Sequence, residues 1–202
     1  MTMRITQKYK IARRLGPAIF EKTQGAKFAL RQERRAGRPY RPRTEYGLSV
    51  IEKQKVRYTY GVNERQFRKY VKEAVALKGT NTVEALFGRL ETRLDNVIYR
   101  LGWAPTRQAG RQLVAHGHIT MDGKRVYVPS IHMKVGDKVA IRVTSLSKPV
   151  FKDLDEKLKK VALPSWLSYD AEKKVASMQG APKWTPSEHS FNLLQVIEFY
   201  SR

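Results

Sequence analysis

Residues 93–143 read RLDNVIYRLGWAPTRQAGRQLVAHGHITMDGKRVYVPSIHMKVGDKVAIRV. Apolar side chains at the start of this stretch recur at the spacing of one helix face: Leu94, Val97, Ile98 and Leu101. Thr92, followed three residues later by Asp95, predicts a capping box at the start of this helix, and Gly102 predicts its end.

A second helix is predicted from Thr106, a favourable N-cap residue, to Gly117. Its apolar sector contains Ala109, Gly110, Leu113 and Val114. Arg107 and Arg111 lie one turn apart on the other side, so both guanidinium groups can address one phosphate backbone. Gly110 costs about 1 kcal/mol of helix propensity relative to alanine, unless close packing requires a glycine there.

Short strands follow the two helices. Asp122 and Gly123 separate residues 119–121 from residues 125–128, which predicts a tight hairpin. After another turn, residues 138–143 alternate between apolar and polar side chains. We therefore expect two helices packed on a small antiparallel sheet. Hydrogen-bond donors surround the junction of these elements: Arg93, Arg107, Arg111, His116, His118, Lys124 and Arg125. Gln112 lies on the same side of the second helix as Arg107 and Arg111.

The charge balance indicates a polyanionic partner. The 202 residues include 40 Lys and Arg against 18 Asp and Glu, for a net charge of +22. A compact protein with this charge repels itself unless an anion neutralises it, and nucleic acid is the leading candidate. The alternatives are a merely well-solvated basic protein and a protein bound to an anionic membrane surface. The latter needs a basic helix with a large apolar face, and none stands apart from the folding pattern.

Cysteine is absent, which excludes disulfides and thiolate metal sites. No apolar run reaches the roughly 18 residues of a membrane-spanning helix, and the N-terminus has no apolar signal core.

Residues 1–45 form a basic arm in which apolar residues show no period beyond a short helix near Ala18. The run at residues 33–43, with two prolines and a glycine, is expected to be extended or irregular. A disordered tail is one interpretation, and an arm that orders along RNA phosphates is the other. Tyr9 and Tyr40 add surfaces on which bases can stack. The candidate RNA contacts of the arm are Arg13, Arg14, Arg34, Arg35, Arg38, Arg41 and Arg43.

Residues 46–91 predict three helices, the first ending at Gly61, the second starting at Asn63 and the third capped by Thr82. Their basic residues indicate either a solvated face or an RNA-binding face. The RNA-binding candidates are Lys53, Lys55, Arg57, Arg65, Arg68 and Lys72. Further on, we expect a helix ending before Pro164, a hairpin from residues 165–169 and 174–178, and an apolar final segment.

Three segments, RLDNVIYRLG, TRQAGRQLVAHGHI and MDGKRV, resemble the small RNA-binding module named after ribosomal protein S4. The resemblance implies that the second helix and the neighbouring loop face RNA, so Gln112 and the donors at the junction are the candidate RNA contacts of this region. The segment EYGLSVIEKQKVRYTYGVNERQFRKYVKEA resembles the helical domain of bacterial-type ribosomal protein S4, and the ending VIEFYSR also resembles this family. The resemblance implies an α+β fold: a basic arm at residues 1–45, and a helical domain at 46–91 completed by about 186–202. Between them lies an inserted domain at 92–185, made of the RNA-binding module (about 92–150) and a β-hairpin extension.

The resemblance also implies the function. The protein would be a structural constituent of the small ribosomal subunit, binding rRNA early, nucleating assembly and contributing to translational accuracy. Its other partners would be messenger RNA at the entry channel, near Arg38, Arg41 and Arg43, and ribosomal proteins S3 and S5, with no membrane or DNA partner. We expect it in the cytoplasmic ribosome, with an organellar ribosome as the alternative.

Many bacterial members of this family have a zinc-binding knot of four cysteines in the arm. Tyr9 and Ala12 stand where one cysteine pair would be, so we expect no metal or other cofactor and an arm ordered by packing and RNA.

His116 and His118 invite a second metal interpretation, but only Asp122 is near as a further ligand. The sequence contains no glycine-rich phosphate loop and no nucleophile paired with a base, so we expect no enzyme. The alternative functions are an RNA-modifying enzyme or a ribosome-rescue protein that uses the same RNA-binding module.

Overall fold

A computed structural model describes residues 5–33, 44–77, 79–151, 158, 161–171 and 173–201. The chain divides into two compact units. The first contains Met1–Leu86 and Trp184–Arg202, and the second contains Phe87–Lys183. Apart from Glu33, the predicted irregular run at residues 33–43 lies outside the described residues, as does most of the helix predicted before Pro164.

The arm in the first unit is helical. It contains α1 (Lys8–Leu15), two short 3-10 turns (Pro17–Ile19 and Glu21–Thr23) and α2 (Ala26–Glu33). The expectation of only a short helix near Ala18 was therefore wrong. These elements close around a small apolar core of Ala12, Leu15, Ile19, Phe20 and Phe28.

Tyr9 and Ala12, the two positions compared above with a cysteine pair, pack at this apolar core. Ala12 is fully buried, and the Tyr9 ring stacks on Phe28 with 6.0 Å between the ring centroids. Both positions therefore contribute packing surface, and the described arm is held together by apolar contacts.

Three longer helices follow: α3 (Glu45–Tyr60), α4 (Glu64–Ala76) and α5 (Thr82–Glu91). Gly61 ends α3 in the left-handed conformation, and the Asn63 side chain caps α4 by accepting from the Gln66 amide, as predicted. The predicted cap at Thr82 is wrong by one residue, because Asn81 Oδ1 accepts the Val83 amide.

The last helix, which we number α9 (Leu193–Ser201), packs against α3. The backbone amide of Asn192 donates to Glu52 Oε2 at 2.8 Å, which fixes the start of α9 on α3. The apolar final segment is therefore a docked helix in the first unit.

The second unit combines helices with an antiparallel sheet. The helices are α6 (Leu94–Arg100), α7 (Arg107–Ala115) and the short α8 (Val143–Leu146). The strands are β1 (Ile119–Met121), β2 (Lys124–Val126), β3 (Lys138–Ile141), β4 (Leu167–Asp170) and β5 (Val175–Met178). They form one five-stranded sheet in the order β2-β1-β3-β5-β4. The predicted α+β class is confirmed.

Both predicted hairpins are present. Ile119 pairs with Val126 across the Asp122 turn, and Leu167 pairs with Met178 across the second hairpin. The second hairpin joins the first through β3, where Val139 pairs with Ala176. The predicted helix stripe of Leu94, Val97, Ile98 and Leu101 is fully buried in the core of this unit.

The capping box predicted at the start of α6 is wrong. Thr92 Oγ1 donates to the Gly88 carbonyl at 2.7 Å, and Arg93 is the N-cap residue of α6, without a side-chain capping hydrogen bond. Asp95 instead accepts two hydrogen bonds from the Arg93 guanidinium, at 3.0 and 2.6 Å. At α7, Thr106 accepts the Ala109 amide at 3.1 Å, which confirms the predicted cap.

Gly110 is required by the close approach of α7 to α6. A Cβ at this position would lie 2.6 Å from the Asp95 carbonyl oxygen, well inside van der Waals contact. It would also touch Ala104 and Ile98 at 3.6 Å. The cost in helix propensity is therefore offset by helix packing that a side chain would prevent.

We expect Gly110→Ala to lower the free energy of unfolding by about 1–3 kcal/mol, because overpacking against backbone outweighs the gain in helix propensity. Gly88→Ala is the matched control, since Gly88 lies in α5 and a Cβ there would meet nothing within 4 Å. The control should be neutral or stabilising by up to about 1 kcal/mol. Urea unfolding of both variants measures the difference, and a stabilised Gly110→Ala protein would contradict the packing model.

Candidate RNA-binding surface

The structure distributes the predicted RNA contacts among exposed, half-buried and buried positions. The exposed ones are Arg13, Arg14, Arg65, Arg68, Lys72, Gln112, His116, Lys124 and Arg125. The half-buried ones are Lys55, Arg57, Arg107, Arg111 and His118, and the buried ones are Lys53 and Arg93. Five more lie outside the described residues: Arg34, Arg35, Arg38, Arg41 and Arg43.

In the first unit, α4 presents a continuous basic stripe. Arg65, Arg68, Lys69 and Lys72 recur at helical spacing and are all exposed. The opposite face of the helix is buried through Phe67, Tyr70, Val71 and Ala74. The core therefore fixes the direction in which these cations point.

Unlike the exposed cations of α4, Lys53 and Arg57 of α3 form ion pairs with the carboxylate of Glu64. Lys53 Nζ lies 3.3 Å from Glu64 Oε1, and Arg57 lies 2.9 Å from Glu64 Oε2. The Tyr200 hydroxyl donates to the same carboxylate at 2.5 Å, and Lys53 Nζ also lies over the Phe199 ring at 4.4 Å. We call this set of residues the C-terminal clasp, because it fastens α9 to α3 and α4.

The clasp perturbs two ionisable groups. Burial alone would raise the pKa of Glu64, but the Tyr200 hydrogen bond and the charges of Arg57 and Lys53 hold it below its ordinary value of 4.5. Burial and the hydrogen bond to Glu64 raise the pKa of the Tyr200 phenol. Both directions favour a neutral phenol that donates to an ionised carboxylate.

In the second unit, Asp95 gathers two arginines. Arg93 is 2% exposed and bidentate on Asp95, and Arg111 Nη1 of α7 lies 3.5 Å from Asp95 Oδ2. Arg111 keeps more of its surface, with a side chain 24% exposed. The buried pair therefore forms a fixed base beneath a guanidinium that still reaches solvent.

A second buried carboxylate, that of Glu91, orients Arg100 directly and Arg107 through Asn96. Glu91 is 1% exposed, accepts two hydrogen bonds from Arg100 at 2.8 Å, and accepts one from Asn96 Nδ2 at 3.0 Å. The Asn96 oxygen in turn accepts from Arg107 Nε at 2.7 Å. The Arg107 guanidinium lies 4.4 Å from the centroid of the Tyr99 ring. Arg107 is therefore held by a hydrogen bond and by contact with an aromatic ring.

Arg125 is anchored at the end of α7. Its Nε donates to the Gly117 carbonyl at 2.9 Å, and its guanidinium lies 4.6 Å from the centroid of the Tyr127 ring. A Cβ on Gly117 would overlap Arg125 Nε, so the glycine makes room for this side chain as well as adopting a positive φ of 67°. A cation at this position also interacts favourably with the negative end of the α7 helix dipole.

His118 lies among positive charges. Burial comes first, followed by the charges of Lys148, His116, Arg125 and Arg142, and together they lower the pKa of His118 below its ordinary value of 6.5. Arg142 and Lys148 were missed in the sequence. Arg142 is brought to His118 because its backbone amide donates to the His118 carbonyl at 2.9 Å, a long-range pairing that no local pattern predicts.

Among the residues that the structure describes, no group of three His, Cys, Asp or Glu side chains is placed to hold a metal ion. Within the same residues, no helix has the length and apolar character needed to cross a membrane.

Comparison with known protein families gives matches to two consecutive parts of the chain. Residues 4–91 match the family model described as the ribosomal protein S4/S9 N-terminal domain, and residues 92–139 match the S4 domain. The chain is 47% identical over 161 residues to small ribosomal subunit protein uS4 of Herpetosiphon aurantiacus, covering 79% of this chain and 76% of that protein. The chain belongs to the uS4 family.

Other members match over nearly their full length. The uS4 proteins of Chloroflexus aurantiacus and Geobacillus stearothermophilus are 40% identical over 200 residues and 41% identical over 204 residues. In each comparison the match covers 96% of this chain and 96% of the relative. As a uS4 protein, the chain is a structural component of the small ribosomal subunit, and its S4 domain is an RNA-binding domain. The relatives are ribosomal structural proteins.

The lowered pKa of His118 predicts a pH dependence for the uS4 fold. Between pH 6.5 and the lower folded-state pKa, the unfolded chain binds more protons, so stability falls as pH falls through this window. His118→Gln should remove that part of the pH dependence. Urea unfolding of both proteins from about pH 7 to pH 5.5 measures it. An NMR titration that places the imidazole pKa at or above 6.5 would contradict the assignment.

Because Glu64 is the carboxylate of the C-terminal clasp, we expect Glu64→Gln to weaken the attachment of α9 and to lower the free energy of unfolding. The change removes the charge shared by Lys53, Arg57 and Tyr200, and we expect the free energy of unfolding to fall by about 1 kcal/mol, discounted for the exposure of Glu64. Because the folded-state pKa of Glu64 is lowered, this contribution is present above the unfolded value and disappears on acidification through the folded value.

Glu73→Gln is the control for the clasp, since Glu73 lies on the same helix and its ion pair with Lys69 is a surface i,i+4 pair at 3.7 Å. Its loss should cost no more than about 0.5 kcal/mol. Hydrogen exchange of the amides in α9 should accelerate in Glu64→Gln and stay unchanged in Glu73→Gln. Equal exchange in the two variants would show that the clasp does not hold α9.

Proposed function

We propose that this uS4 protein is a primary rRNA-binding protein of the small ribosomal subunit. It binds folded small-subunit rRNA mainly through phosphate contacts and shape, with limited base readout. The support is a net charge of +22 combined with exposed cations on both units, which suits a large folded RNA better than one short site. We further propose that the residues ahead of about position 92, completed by the C-terminal helix, and the inserted residues 92–185 act as two RNA-binding domains.

The observation that carries the proposal is the pair Arg107 and Arg111 on α7. Both guanidinium groups are half-exposed, one turn apart and fastened from below by Asn96 and Asp95. A guanidinium that is already oriented loses less side-chain entropy when it binds a phosphate. This is what an RNA-binding helix requires of its cations.

Not every basic candidate faces RNA in this proposal. Arg93 and Lys53 are 2% and 9% exposed and each has a carboxylate partner, so we assign them to positioning and folding. Arg57 belongs with Lys53 in the clasp. Arg142 and Lys148 join His116, His118, Lys124 and Arg125 as RNA contacts at the end of α7.

The finer roles follow the family resemblance. We propose that the protein binds early and nucleates assembly of the cytoplasmic small subunit. We also propose that it contributes to the messenger entry region and to translational accuracy beside ribosomal proteins S3 and S5. The basic residues Arg38, Arg41 and Arg43 are the proposed messenger contacts.

The test is the salt dependence of rRNA binding. We expect the wild-type affinity to fall steeply as salt rises, and the variant with Arg107→Gln and Arg111→Gln to reduce the slope of log affinity against log salt by about two. Neutral glutamine is chosen because a new carboxylate at position 111 would also repel Asp95 within the fold.

A matched control removes two exposed charges from the C-terminal part of the chain, in the variant with Lys173→Gln and Lys183→Gln. Its salt slope should remain close to that of the wild type. A wild-type affinity that is nearly independent of salt would refute the proposed function. An Arg107 and Arg111 variant that behaves like the control would remove these two residues from the site.

A further inference from the structure

The arm contains a cavity of about 860 Å³ between α1 and α2. Its described lining includes four cations, Arg13, Lys22, Lys27 and Arg31, and two aromatic rings, Tyr9 and Phe28. Among the described residues that line it, none is acidic. Its volume falls within the roughly 300–1,000 Å³ of small-molecule sites, so it admits a nucleotide base together with its phosphates.

The two rings form one wall of the cavity in a layered arrangement. Phe28 is 8% exposed and belongs to the apolar core of the arm, whereas Tyr9 is 46% exposed. The rings are stacked at 6.0 Å with 27° between their planes. A buried ring thus holds a second ring at the surface, which is the arrangement that a base-stacking platform needs.

The cations are placed to meet phosphate. Arg13 donates from Nε to the Tyr9 carbonyl at 3.2 Å, which ties it to the same helix end as the platform. Lys22 Nζ lies 5.9 Å from the centroid of the Tyr9 ring, at the outer limit of cation–π attraction, so it is held weakly and can turn to an anion. Lys27 and Arg31 are exposed on α2, one turn apart.

We propose that this cavity binds a single unpaired nucleotide of the small-subunit rRNA, with the base stacked on Tyr9 and its phosphates bound by Arg13, Lys22, Lys27 and Arg31. The proposal rests on the proposed rRNA-binding function. An unpaired base can leave its strand and enter a concave site, whereas the backbone of a duplex is better matched by a convex basic stripe such as that of α4. Aromatic rings beside clustered cations favour a nucleotide over a simple anion.

The test compares three full-length proteins bound to small-subunit rRNA: the wild type, Tyr9→Phe and Tyr9→Leu. Tyr9→Phe keeps the stacking ring, so its affinity should equal that of the wild type. Tyr9→Leu keeps apolar contact with Phe28 but loses the ring, and its affinity should fall about 5-fold or more. Ultraviolet cross-linking followed by mass spectrometry should find a nucleotide on residue 9 of the wild type.

A second variant tests the phosphate contacts separately from the folding of the arm. Lys22→Gln with Lys27→Gln changes two exposed side chains, so it should leave hydrogen exchange of α1 unchanged and still lower the salt slope of RNA binding by one to two. Hydrogen exchange of α1 in Tyr9→Leu checks that the arm remains folded.

The possible outcomes distinguish failure of the cavity proposal from failure of the proposed rRNA-binding function. If the wild type binds rRNA steeply with salt while Tyr9→Leu binds equally well and residue 9 carries no cross-link, the cavity proposal is wrong and the rRNA-binding function stands. If the wild type does not bind rRNA, both fail. If adenosine monophosphate alone binds as tightly as the rRNA, the occupant is a free nucleotide and the proposal is overturned.

Discussion

This basic fold depends on ion pairs between a few carboxylates and the cations that meet them where helices pack together. With 40 basic against 18 acidic residues, packed helices would bring like charges together. Asp95 binds Arg93 and Arg111, and Glu64 binds Lys53 and Arg57, so one anion compensates two cations at each crossing. The Asp95–Arg93 pair is buried, so removing one partner there leaves an uncompensated charge. The Glu64 carboxylate is 44% exposed, so its pairs are screened by solvent and contribute less.

Helical periodicity made much of the fold predictable. The apolar stripes on α4, α6 and α7 repeat over about two or more turns. Explicit signals such as Gly61, Asn63 and Thr106 mark several helix ends. The helices of the arm were not predicted because α1 has only two buried side chains, Ala12 and Leu15, and four of its eight residues are basic. Eight residues with two buried side chains give too short a period to separate from an irregular basic tail.

The candidate surface was predictable where a helix alone decides it. On α4 the buried face of Phe67 and Tyr70 determines that Arg65 and Arg68 face outward. It was not predictable where partners come from distant parts of the chain. Tyr200 contacts Glu64 although the two residues are 136 positions apart in the chain. Likewise, no residue near Lys53 in the sequence predicts that the Phe199 ring lies beside its ammonium group.

The way in which the S4 domain fastens its cations has a further consequence for binding. A lysine or arginine in solvent loses rotamer entropy when it meets a phosphate, at a cost of roughly 0.5–1.5 kcal/mol for each immobilised side chain. Arg107 and Arg125 are already held, each by a hydrogen bond and an aromatic ring. In the proposed complex, ordering would therefore reduce their contribution to RNA binding less than it reduces that of the exposed Arg65, Arg68 and Lys72 on α4. Because a held guanidinium also has a fixed direction, the proposed RNA contacts of these two side chains would select a phosphate geometry. The proposed contacts of the α4 stripe would supply attraction with little preference for shape.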